Sequence, residues 1–296
     1  MAVKVDDVTL SLSALEFSLY PPGLIAFFFA QWTMWNDQRL SAEFRTILCL
    51  MLLRTPLSAS RRMATLYLRV FEYGENEVPF QRENLQLTYF SWYWLCVCMF
   101  FLAVERLLCT YLLVPPSCPR RRSLSIQSPL ALAILVVALL LTCYGLEGYC
   151  LYCMAGTILI TGLILVWLYV VNRRRRRQSV YDDLSHKSQT VVNIISLEIF
   201  MPCMVNAIIC MAATIAVVEF QSNILHTPLG HDAGKINNVY GLLIAYDSLS
   251  IPLLIVLSLV ANRRWKERQL RRRLALDGDA EHAQRAYFTY IHSQWN

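Results

Sequence analysis

Long uncharged apolar blocks constrain this chain more than any other feature of its sequence. Crossing the hydrocarbon of a bilayer takes about 20 apolar residues as a helix. Helix is the form required, because backbone in lipid has no water to satisfy its hydrogen bonds. Five blocks meet or approach that length: Leu85–Arg106, which includes TYFSWYWLCVCMFFLAVE; Ser128–Gly145, short but uncharged; Gly148–Val171; Leu197–Glu219; and Tyr240–Ala261. The composition agrees, with 56% hydrophobic residues, 16% charged residues and a mean hydropathy of +0.41. A soluble domain carries about a quarter charged residues.

The charges between the blocks orient them. Arg120–Arg122 follow the first block, Arg173–Arg177 the third, and Arg263, Arg264, Lys266, Arg268 and Arg271–Arg273 the last. The alternate loops are poor in cations: Leu146–Glu147 has none and Gln221–Val239 only Lys235. Basic loops face the cytoplasm, so the C-terminus is expected inside. The same placement accounts for the net charge of +6 and makes nucleic acid an unexpected partner. The stretch Arg263–Leu276 also has the pattern of an amphipathic helix on an anionic leaflet. No secretory signal pattern opens the chain.

The N-terminal third is less regular. Leu12–Trp35 contains GLIAFFFAQW, but Glu16 and Pro21-Pro22 interrupt it. About fifteen apolar residues remain after the prolines, which is short for a span. Thr46–Val70 contains TILCLMLL, then Arg54, Pro56, Arg61, Arg62 and Arg69. A charge at mid-bilayer costs about 2.5–3.5 kcal/mol, so this segment alone would insert badly. If both segments span there are seven helices, and if they form a half-inserted hairpin or a surface helix there are five. The parity is the same either way, because the two cross together or not at all. The expected architecture is an all-α polytopic transmembrane bundle of seven helices, the first two irregular, with the N-terminus outside. Residues 1–266 would form the transmembrane domain and 267–296 a cytoplasmic tail.

Within these spans a few residues carry chemistry. Glu105-Arg106 closes the first block; it reads either as an interfacial anchor, with the arginine snorkelling to phosphate, or as an ionic latch that exchanges carboxylate partners. Thr88, Trp92, Cys96, Met99, Ala103 and Arg106 share one helical face that leads to it. Asp247 is an intramembrane acid, about 10 Å from the outer end of its helix. It reads as a packing group bonded to Asn206 or a tyrosine, or as part of a functional cluster with Tyr246 and Ser250 beside Pro252. Pro202 and Pro252 both offer kinks. Seven of the ten cysteines lie in or beside apolar runs, where cysteine acts as a small hydrophobe. Cys150 and Cys153 form a lone C-x-x-C, and His226, His231 and Asp232 a weak outer-loop set. Neither matches a structural metal pattern. No hydrolase, metalloprotease, nucleotide or dinucleotide motif is present. No enzyme activity, cofactor or metal is therefore expected.

Three stretches carry a resemblance: ERLLCTYLL (Glu105–Leu113), YDDLSHKSQTVVNIISL (Tyr181–Leu197) and YDSLSIPLLIVLSLVANRRWK (Tyr246–Lys266). In order and position they resemble the nematode serpentine chemoreceptors, most closely the epsilon (Sre) class of the Sra superfamily. The resemblance implies a seven-helix G-protein-coupled receptor in the plasma membrane of sensory cilia. Such a receptor detects an external small molecule or peptide and activates a heterotrimeric G protein. By that resemblance Glu105 and Arg106 form the inner switch, and Arg173, Arg174 and Ser188 belong to the coupling surface. Tyr246 and Asp247, with Trp92, Cys96, Asn206 and Pro252, belong to the ligand pocket or a microswitch. Cys96 lies too deep for a disulfide to an outer loop, and none is expected there. The alternative class is a small-solute transporter or channel, which would use the same kinked helices and Asp247 but would normally show an internal repeat.

Overall fold

In the computed structural model the described residues are 7–37, 40–68, 81–111, 129, 133–142, 150–178, 184–223, 234–276 and 288–289. Among them the regular structure is α-helical. In chain order the helices are α1 (Asp7–Asn36), α2 (Ala42–Leu52), α3 (Arg54–Leu68), α4 (Gln81–Tyr111), the short apolar α5 (Ala133–Thr142), α6 (Cys150–Gln178), α7 (Leu184–Asn223) and α8 (Gly234–Leu276). Five are long and apolar enough to cross a membrane, through Leu10–Asn36, Gln86–Tyr111, Leu151–Arg177, Thr190–Phe220 and Val239–Trp265. The last four coincide with apolar blocks of the sequence. Of the block Ser128–Gly145, only Pro129 and α5 fall within the described residues. The expected loops at Arg120–Arg122 and His226–Asp232 lie outside them.

The helix α1 corrects the sequence reading, because it runs unbroken for 30 residues with Pro21 and Pro22 inside it. Its inward residues are Ser13, Glu16, Tyr20, Gly23, Phe27, Ala30 and Met34, alternating by three and four along the chain. That seam continues in phase across the two prolines, which themselves sit on the exposed face. The lost backbone donors therefore point away from the packing surface, and the neighbouring helix holds the axis. The neighbour is α8. At Gly23 a Cβ would lie 3.4 Å from the carbonyl oxygen of Ser248, so the two helices cross at close range.

The segment expected to be irregular does break. Pro56 has no N–H for the carbonyl of Leu52, and its ring crowds that carbonyl. The chain turns at Leu53, whose N–H donates to Leu50 O (3.1 Å) in place of the α-helical Cys49 O. The released carbonyls are taken by side chains of other helices: Gln31 Nε2 donates to Cys49 O (2.9 Å) and Trp94 Nε1 to Leu50 O (2.7 Å). A kink in this setting is stable because its backbone groups are satisfied by neighbours.

Hydrogen bonds between helices fix their relative directions. Ser41 at the start of α2 meets Arg106 near the end of α4, whereas Arg54 in α3 meets Ser91 in the first half of α4. Asn172 near the end of α6 meets Thr110 of α4, and Tyr169 of α6 meets Glu198 of α7. Glu198 and Asn206 of α7 pair with Asn262 and Ser250 of α8, in reversed order. Thus α1, α4, α6 and α8 point one way and α2, α3 and α7 the other. The helix α4 touches α2, α3, α6 and α7 and is buried on every side from Ser91 to Met99. The expected face Thr88, Trp92, Cys96, Met99, Ala103 and Arg106 is buried throughout. The chain from Arg263 to Leu276 continues α8 without a break, in place of a separate surface helix.

Candidate functional site

Among the described residues three arginines, Arg54, Arg62 and Arg106, are buried in the interior. Arg106 is fully buried at the end of α4. Its guanidinium is paired with Glu105 of the same helix. From Nη1 it donates to Asn193 Oδ1 (3.0 Å) and Ser196 Oγ (3.1 Å) of α7, and from Nη2 to Ser41 Oγ (2.7 Å) at the cap of α2. The ring of Phe44 in α2 lies 4.9 Å from the guanidinium carbon, in cation–π range. Ser41 both caps α2, accepting from Phe44 N (3.3 Å), and bonds Glu105 Oε1 (3.3 Å). Cys109, one turn on, donates to the same carboxylate oxygen (3.3 Å). A layer of Thr110, Asn172 and Asn193 lies directly below, and Arg175 of α6 donates to Thr110 O (2.6 Å). The reading of Arg106 as a snorkelling anchor is thereby corrected: the side chain turns into the bundle, because acceptors from α2 and α7 meet it there.

Arg54 sits midway through the bundle at the start of α3, paired with Asp247 of α8. Arg54 Nε also donates to Ser91 Oγ (3.2 Å), Ser91 shares a 2.7 Å hydrogen bond with Ser58, and the guanidinium carbon lies 4.3 Å from the Trp92 ring. Asp247 is 1% exposed. The partner anticipated for it, Asn206 or a tyrosine, is therefore wrong. Asn206 instead donates to Ser250 Oγ (2.9 Å) and accepts from Tyr246 Oη (3.2 Å), forming a neighbouring cluster between α7 and α8. An arginine outcompetes neutral partners for a buried carboxylate because it neutralises the charge as well as bonding it.

Arg62, two turns beyond Arg54, forms a bidentate pair with Glu16 of α1, Nε to Oε1 at 2.6 Å and Nη2 to Oε2 at 2.9 Å. Tyr20 Oη donates to the same carboxylate (3.1 Å). The pair is seated against Gly241 of α8, where any Cβ would overlap both the guanidinium and the carboxylate. Any larger residue at 241 would force the ends of Arg62 and Glu16 to shift from this seat. The buried side of α3 consists of Arg54, Thr55, Ser58, Ala59, Arg62 and Leu66, so this helix faces its polar stripe inward.

Of the residues singled out by sequence, Trp92 and Asp247 are brought together through Arg54, and Asn206 and Tyr246 bond each other. Cys96 is buried in α4 and carries no disulfide. Pro252 is buried inside α8, within a continuous helix. Arg173 and Arg174 are exposed at the end of α6, away from the Arg106 layer; Arg173 donates to Tyr169 Oη (3.5 Å). Ser188 lies in α7, and its side chain is outside the described residues. Sequence reasoning missed Glu16, Ser41, Arg54, Arg62, Asn193, Ser196 and Gly241. For Glu16 the signal was present, since it falls on the three-four seam of α1. For the others the partner is remote in sequence, and nothing local announces it. No protein-family model matches the chain, and no curated protein matches it.

Proposed function

We propose that the chain is a seven-helix G-protein-coupled chemosensory receptor of the nematode Sre type, with its N-terminus outside and its C-terminus inside. The α2–α3 segment counts as the second span and α5 as part of the fourth. The alternating helix directions support that count, because α2–α3 runs from the end that carries Arg106 to the opposite end. The basic runs Arg173–Arg177 and Arg263–Arg268 lie at the Arg106 end, which supports a cytoplasmic assignment for it. Its proposed place is the plasma membrane of a sensory cilium, its ligand an external small molecule or peptide, and its partner a heterotrimeric G protein.

The observation that carries this reading is the burial of Arg106 between α2, α4 and α7. Among the described residues its salt bridge is to its own helix, while its hydrogen bonds to α2 and α7 go to neutral side chains. A shift of α7 could release those links without stranding the arginine, because Glu105 travels with it. The transporter reading is disfavoured by the Arg54 pairing, which already neutralises the carboxylate on which a cation would load. The test is ligand-screened calcium or cAMP reporting in cells expressing the full chain, with Arg106→Ala beside it. Responses that need a G protein and are lost in the variant are expected. Responses unchanged by Arg106→Ala, or ion currents without any G protein, would sink the reading.

A further inference from the structure

The outward faces of α6 and α7 are aliphatic through their middle, with Leu159, Ile160, Leu163, Val205 and Ile209 exposed. At the end of the bundle that carries Arg106 this changes. Glu198 of α7 is exposed, yet it accepts from Tyr169 Oη of α6 (3.5 Å) and from Asn262 Nδ2 of α8 (3.2 Å). One carboxylate therefore ties three helices together at the surface. Arg173 adds to the cluster, donating to Tyr169 Oη (3.5 Å) with its guanidinium carbon 5.8 Å from the tyrosine ring. Tyr169, Arg173 and Arg177 follow at intervals of four on α6, so they form one stripe rising from the Glu198 junction. Arg173 and Arg177 are both exposed. Trp167 on α6 and Trp265 on α8 are exposed to 49% and 53%, and exposed indole rings favour the headgroup region of a bilayer.

We propose that this corner of α6, α7 and α8 binds the headgroup of an anionic phospholipid, with Arg173 and Arg177 taking its phosphate groups and Glu198 holding the three helices together beside them. Guanidinium forks match phosphate oxygens, and a stripe at the hydrocarbon edge meets a lipid headgroup without leaving the bilayer. Glu198 touches no phosphate; it holds Tyr169, which in turn supports Arg173. Arg264 and Arg268 serve as an internal control. They are exposed cations of the same charge on α8, but about 200° and 240° around that helix from Asn262, so they point away from the junction.

The proposal rests on the chain spanning a bilayer, and the experiment separates the two. The full chain is incorporated into phosphatidylcholine nanodiscs with and without phosphatidylinositol bisphosphate, and retained lipid is counted by native mass spectrometry. Failure to incorporate would refute the membrane reading. With incorporation, selective retention of the bisphosphate lipid is expected, weakened ~thirtyfold by Arg173→Gln with Arg177→Gln, from about fivefold per arginine. Arg264→Gln with Arg268→Gln should leave it within about twofold. Equal losses for the two pairs would reduce the effect to a diffuse basic field and overturn the site. So would the absence of any preference over phosphatidylcholine. Soluble inositol trisphosphate is added to the chain in detergent; binding as tight as the lipid's would assign the site to a free anion.

Discussion

Arg54 and Arg106 are both buried, yet they hold the bundle in different ways. Arg54 takes its counter-charge from another helix, 193 positions away, and Arg62 does the same across 46. Those pairs are clamps, since moving α3 from α8 or α1 separates opposite charges in a medium that cannot solvate them. Arg106 takes its salt-bridge partner from the adjacent residue and reaches α2 and α7 through the neutral side chains Ser41, Phe44, Asn193 and Ser196. Separating those helices breaks neutral hydrogen bonds and leaves the ion pair intact. The two regions thus differ in what holds their helices together: ion pairs between helices join α3 to α1 and α8, whereas hydrogen bonds to neutral side chains join α4 to α2 and α7 at Arg106.

The largest effect should come from Asp247→Ala, which leaves Arg54 without its carboxylate. Removing one partner of a buried pair costs about 3–5 kcal/mol, read as a lower melting temperature in detergent. The double change Arg54→Met with Asp247→Leu should recover most of that loss, because no charge is then stranded. A double variant as unstable as the single would show that the pair is not a clamp. Next is Gly241→Ala, where the new methyl meets the Glu16–Arg62 pair; overpacking of this kind costs about 1–3 kcal/mol. The penalty should shrink when Glu16→Ala and Arg62→Ala remove the obstacle, a double-mutant-cycle comparison on thermal stability.

At the Arg106 end the effects should be smaller in stability and larger in behaviour. Asn193→Ala removes one neutral acceptor while Glu105, Ser196 and Ser41 remain, a loss of about 0.6 kcal/mol by the average for hydrogen bonds inside membranes. Under the receptor reading the same variant should raise basal G-protein signalling in a reporter cell. Destabilisation as large as that of Asp247→Ala, with silent signalling, would erase the contrast between the two regions. The smallest effect is expected for Trp94→Phe, which frees Leu50 O at the kink but leaves it the bond from Leu53 N. Its cost of about 0.5 kcal/mol should appear as faster amide exchange confined to residues near Leu53.

The contrast also explains what a reading of the sequence misses. Arg54, Arg61 and Arg62 make the second segment look unfit for lipid, because insertion cost is reckoned for a helix standing alone. In the bundle the polar stripe of α3 faces α1, α4 and α8, and the charges on two of them are cancelled before they meet hydrocarbon. Likewise Pro21-Pro22 seems to interrupt the first segment, although the seam from Ser13 to Met34 keeps its phase across it. The buried face of α4 was legible, since it depends only on the spacing of Thr88, Trp92, Cys96, Met99, Ala103 and Arg106. The partners of Asp247 and Arg106 were not, because nothing within a helix states which neighbour it will meet.

By itself the sequence determined the helical class, four of the five long apolar helices and the clustering of cations at particular helix ends. These follow from local rules: backbone in lipid must bond itself, and apolar length must match bilayer thickness. Only the tertiary structure decided that α1 is one continuous helix, that Arg54 belongs to Asp247 and Arg62 to Glu16, and that Arg106 lies inward among neutral dipoles. Each of those outcomes is a competition among groups distant in the chain, settled by which buried charge finds the nearest compensation when the helices pack.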